Sequence, residues 1–234
     1  VNVNPDKIKE AKNIKRHVSL MQGEEVVRNI KYKAIEHNIH VMNIFRNEAS
    51  LNTILEMIAS ESDWKKLRGY INIFEEYSTF LTQKQKLITL NFLYDFLTHR
   101  EEDVRKQCAQ LIGNFIAIFD EVYRKEVPSD VNIASPDITS SELLDKYIDL
   151  FLNPDHKIIE THRKCIGYSL GDMIASLFKF ASINNKRNYI DVLFKFYEAA
   201  HCYDDNAIFY LMQTIKHIPF NDYDDLELDK VLNF

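Results

Sequence analysis

The sequence predicts an all-α fold, and three observations carry that prediction. Apolar residues recur at the 3.6-residue spacing of a helix in every periodic segment, and no segment alternates as a half-buried strand does. Glycine and proline, five of each in 234 residues, fall below the roughly 7% and 5% of average chains. That scarcity leaves few turn-formers for a sheet, and 46% hydrophobic content is enough to bury a substantial core.

The elements follow in order. Asn4-Pro5-Asp6 opens a basic helix to about Met21, and Gly23 breaks it. Val26, Val27, Ile30, Ala34, Val41 and Phe45 mark a second helix to about Arg46, and Leu51, Ile54, Leu55 and Ile58 mark a short third. Asp63 suits an N-cap, and Trp64, Leu67, Ile71, Phe74 and Leu81 carry the helix behind it. Gly69 lies inside that helix at a cost of about 1 kcal/mol relative to alanine, so a close helix crossing is expected there.

A tightly wound helix pair follows over residues 82–126. Leu87, Leu90, Tyr94 and Leu97 cover one face of its first helix, and Thr98-His99-Arg100-Glu101 breaks it. Val104, Cys108, Leu111, Phe115, Ile118 and Val122 cover one face of its second. Residues 127–138, with Pro128 and Pro136, form the one long loop. Thr139 and Glu142 have capping-box spacing, and Leu144, Tyr147, Ile148 and Phe151 make the next apolar face. Asn153-Pro154-Asp155 stops that helix and starts another, because proline is tolerated at a first helical position. The new helix runs through Ile159, Cys165, Ile166, Leu170, Met173, Leu177 and Phe180. Two more carry Tyr189, Leu193, Phe196 and Ala200, then Ile208, Leu211, Met212, Ile215 and Ile218 before Pro219.

The run Asp103-Val104-Arg105, then Ala109, then Leu111-Ile112-Gly113, resembles the second helix of a HEAT repeat, of the HEAT/armadillo-like α-helical repeat family. A shift of 58 residues lays Arg105 on Arg163, Ala109 on Gly167, Ile112 on Leu170 and Gly113 on Gly171. With the long loop removed the period is about 46, inside the roughly 40 to 47 residues of such units. A shift of 57 instead pairs Cys108 with Cys165, and a backward shift of 40 sets Asp63-Trp64-Lys65 beneath Asp103-Val104-Arg105. The resemblance implies a right-handed α-solenoid of antiparallel hairpins over residues 1–219. Residues 1–60 would be an atypical cap, 61–180 the HEAT-like hairpins, 181–219 a closing cap and 220–234 an acidic tail of a piece cut from a longer chain. It further implies that Asp103, Arg105 and Arg163 tie adjacent units. Lys65, Lys106, Arg163 and Lys164 would then line one concave surface for an acidic protein partner or another domain of the same polypeptide.

Net charge is −6 and uneven: residues 1–33 hold eight Lys or Arg against four acids, and 201–234 hold two against seven. An acidic balance argues against nucleic-acid binding, which relies on cations neutralising phosphates. Helical-repeat DNA glycosylases are similar in length and build but need a basic cleft with aromatics; this chain is acidic and has one tryptophan, Trp64. Cys108, Cys165 and Cys202 are odd in number and lie in apolar stripes, as core residues would, so no disulfide framework is expected. No apolar stretch approaches about 18 residues and no signal core is present, so no membrane association and a cytoplasmic location are expected.

No catalytic constellation is legible: the glycines are scattered, and neither a phosphate loop nor a nucleophile elbow occurs. His37 and His40 beside Glu36, and His201-Cys202 before Asp204 and Asp205, are geometrically possible for a metal but lack its full spacing. Asp222, Asp224, Asp225 and Glu227 lack the glycine of a calcium loop. The expectation is a non-catalytic interaction scaffold without cofactor or metal. The alternative is a regulatory segment of a larger bacterial signalling or hydrolase protein.

Overall fold

A computed structural model describes residues 47–78, 81–120 and 138–220, all within one compact unit. The helices expected before residue 47, Val122, most of the proline loop, His37, His40 and the acidic tail lie outside those residues. Among the described residues there are eight α-helices and no strand. They are α1 Glu48–Ala59, α2 Trp64–Tyr77, α3 Gln83–Asp95, α4 Glu102–Ala117, α5 Ser140–Leu152, α6 Glu160–Phe180, α7 Ile183–Glu198 and α8 Asp205–Met212.

Most of these helices start on a side-chain cap. Asn47 accepts from the Ala49 and Ser50 amides, Asp63 from Lys65, Ser182 from Asn185 and Asp204 from Ala207. Thr82 with Gln85, and Thr139 with Glu142, form reciprocal capping boxes. The two exceptions are α4 and α6, whose N-cap residues Glu101 and Ile159 make no side-chain bond. These two carry acids in the first turn, which suits the helix dipole, and they pack on each other more extensively than any other pair. Packing supplies what the caps do not.

Helices adjacent in sequence pair as hairpins: α1 with α2, α3 with α4, α5 with α6 and α7 with α8. Even-numbered helices also abut in order, α2 on α4, α4 on α6 and α6 on α8. Odd ones do likewise, α1 on α3 and α5 on α7, while the Tyr94 hydroxyl donates to the Leu150 carbonyl across α3 and α5. The chain thus builds two rows, with α4 against both. Every residue from Leu111 to Phe119 is buried, so the C-terminal part of α4 is enclosed all round rather than along the one stripe predicted, while Glu102, Asp103, Lys106 and Gln110 of its first half stay exposed.

Several expectations change. Helix α6 begins at Glu160, not beside Pro154, because the Asp155 carboxylate accepts from the Lys157 amide and holds a separate turn. The last helix stops at Met212 and continues only as a 3-10 turn, Ile215–His217, with the Thr214 hydroxyl donating to the Leu211 carbonyl. Gly69 marks no crossing, since a Cβ there would meet nothing within 4 Å. The crossing falls at Gly113, where a Cβ would run into the Met173 carbonyl and lie 2.9 Å from the Leu177 amide nitrogen. Gly167 likewise makes room for the Tyr210 ring. Of the three cysteines only Cys108 is a core residue; Cys165 is half-buried and Cys202 exposed, and all three are free.

Among the described residues one core residue is charged. Lys86 is fully buried, and its ammonium donates to the carbonyls of Ile118 and Phe119 at 2.6 and 3.3 Å. Carbonyls at a helix C-terminus lack intrahelical donors and carry the negative end of its dipole, so a cation there satisfies both.

Candidate functional site

Each junction in the row of even helices carries a charge pair. Arg68 of α2 donates to Asp103 of α4 at 3.0 Å, and Lys106 of α4 lies 3.9 Å from Asp172 of α6. Arg163 of α6 pairs with Asp204 at the head of α8. Asp103 and Arg163 therefore bridge neighbouring helices of the row. Arg105 does not: its guanidinium donates to the His99 and Arg100 carbonyls at 2.7 and 2.8 Å, closing the turn of its own hairpin. Asp204 is held below the usual carboxylate range, first by the Ala207 amide and then by Arg163. The bond to Asp204 in turn raises the guanidinium of Arg163.

Between α4 and α6 opens a cleft of about 460 Å³. Arg105, Lys106 and Lys164 line it against Glu102 and Asp172, with Cys165, Tyr168 and Ser169 completing the wall. Three cations and two carboxylates stand in the lining, and Glu160 lies 3.7 Å from Lys164. Burial raises the Asp172 carboxyl above its ordinary range while Lys106 opposes the rise. Burial, then Lys216, lowers the nearby His217 imidazole. Tyr168 is 65% exposed at the rim, and its ring sits 6.2 Å from that of Phe209 and 5.2 Å from that of Tyr210 on α8. An exposed aromatic beside a charged cleft offers apolar area to whatever covers it.

The structure brings together two of the four basic residues expected to bind a partner, Lys106 and Lys164. Arg163 turns to Asp204 and Glu160, and Lys65 stays over the ring of Trp64 at 5.6 Å, lining no part of the cleft. Tyr168 and Asp172 went unread in the sequence. Both fall at helical spacing from Lys164, residues 164, 168 and 172, and that interval was the available signal.

Other candidate chemistry disperses. The Nδ1 of His201 lies 3.2 Å from the Glu198 carbonyl, and Asp204 is occupied by the Ala207 amide and Arg163. Among the described residues no three His, Cys, Asp or Glu side chains gather as a metal site, and no helix is long and apolar enough to cross a membrane.

The class these features define is an all-helical array of hairpins that abut in chain order and share a charged cleft. No protein-family model, curated protein or solved structure matches this chain.

Proposed function

We propose that this chain is a non-catalytic interaction scaffold, a right-handed solenoid of HEAT-like hairpins that receives an acidic protein segment on its row of even helices. The observation that carries this reading is the α4–α6 cleft, which Lys106, Lys164 and the exposed Tyr168 line together. Both lysines are more than half exposed and are paired only at 3.9 and 3.7 Å, so an incoming carboxylate can take them over at small cost. The hairpin stacking supports the reading from the other side. Hairpins that pack mainly on the next hairpin in the chain extend a surface along an axis rather than closing round a substrate.

The test is capture of partners from native lysate by the wild-type chain and by a Lys106→Glu/Lys164→Glu variant, with circular dichroism to verify folding. The expected result is loss of captured protein with helicity intact. Equal capture by a folded variant rejects the cleft as the docking site.

A further inference from the structure

We infer that the chain pairs with a second copy of itself through the outer face of α2, in an antiparallel two-fold contact that sets Gly69 against Ile73 of the second copy and Lys66 against its Glu76. This face shares no residue with the α4–α6 cleft, so the inference and the proposed function stand or fall separately.

The positions of α2 divide into three sides. Leu67, Ile71 and Phe74 are buried in the core. Arg68 and Asn72 bond to Asp103 and Gln107 of α4, and Glu75 lines a small cleft with Gln107 and Gln110. The third side holds Lys66, Gly69, Tyr70, Ile73 and Glu76, and all five are exposed. Steps of three and four residues from Lys66 to Gly69, Ile73 and Glu76 keep them on one stripe.

That stripe has an apolar centre with a vacant notch. Tyr70 is 41% exposed and Ile73 38%, and a Cβ on Gly69 would meet nothing within 4 Å. A glycine inside a helix weakens it, and the other glycines among the described residues each face a neighbouring element. Gly113 admits the backbone of α6, Gly167 the ring of Tyr210, and Gly171 lies against the His217 imidazole. Gly69 offers the same close approach on a face that the chain itself leaves bare.

Charge names the occupant. The stripe opens on a cation, Lys66, and closes on an anion, Glu76, and neither forms an ion pair among the described residues. Positions 66 and 76 are equidistant from 71, and so are 69 and 73. A two-fold axis crossing α2 at the level of Ile71 therefore brings Lys66 level with Glu76 of the second copy, and Ile73 level with the Gly69 notch. Symmetry makes each contact twice. The face is thus its own complement in both charge and shape.

The experiment is sedimentation equilibrium of the full chain from about 1 µM to about 1 mM, the range in which a small interface associates. The samples are the wild type, Lys66→Glu, Glu76→Lys, an equimolar mixture of those two, and the Lys66→Glu/Glu76→Lys double variant. The expected result is a wild-type monomer–dimer equilibrium that each single reversal weakens at least ten-fold, since like charges then oppose at both ends. Glu76→Lys makes the net charge of −6 less negative, so general repulsion predicts the opposite effect for that variant. The mixture and the double variant restore opposite charges at both ends and are expected to dimerise as the wild type does. That rescue also shows that the single variants are folded. A wild type that stays monomeric throughout overturns the inference. So does a dimer that the single reversals leave unchanged, or one that neither the mixture nor the double variant recovers.

Discussion

The absence of one methyl group sets how closely α4 and α6 approach. A Cβ on Gly113 would meet backbone of α6, whereas one on Gly69 would meet open space. Gly113→Ala is therefore expected to destabilise the fold by roughly 1–3 kcal/mol through overpacking. Gly69→Ala is expected to stabilise it by about 0.5–1 kcal/mol through helix propensity. Thermal melts of the two variants should move in opposite directions; a shared direction contradicts the packing described. The sequence shows both as glycines inside amphipathic helices, so only the neighbouring helix distinguishes them. Lys86 is a second case. The residues buried on α3 are Gln85, Lys86, Thr89, Leu90 and Leu93, and a lysine in that series reads from sequence as an interruption. Replacing it with methionine keeps the apolar stem but removes the donor to two carbonyls, with an expected loss of about 1–3 kcal/mol by urea denaturation. A neutral result would mean that the carbonyls find another donor.

At the scale of elements, starts set by a local cap were legible, whereas the start of α6, expected beside Pro154, was not. Asp63 and the Thr139–Glu142 box work as their spacing predicts, because a cap is a local contact between residues two or three apart. Asp204 does more than cap α8, since it also holds Arg163 across to α6. Its folded pKa lies below the ordinary 3.8. A lowered carboxylate pKa contributes stability that is present above the unfolded value and is lost as pH falls through the folded value. Asp204→Asn keeps a cap oxygen but not the charge. The urea midpoint of this variant should trail the wild type at pH 7 and converge with it once the pH drops below the folded pKa. A gap that persists in acid would mean that Asp204 acts without its charge.

Over the whole molecule, stability should grade along the rows. The α4–α6 junction has the most extensive packing, and α1 and α8 each lie at an end of the described array. Amides in Ile112–Ala117 and Ile166–Phe178 are therefore expected to exchange slowest with deuterium, and those of α1 and α8 fastest. Uniform protection would indicate one cooperative core instead of coupled neighbours. The two helix starts Glu102 and Glu160 lie 58 apart, one of the two shifts, 57 and 58, that the sequence left open. By itself the sequence determined the all-helical class and the caps Asp63 and Thr139 with Glu142, because these depend on spacing within a few turns of chain. Tertiary structure alone decided which cations remain available. Arg163 and Lys106 look alike in sequence, yet one closes on Asp204 and the other borders a cleft with Lys164. A charge is taken up by whichever carboxylate the next helix brings near, and side-chain reach across a junction is not written in local spacing.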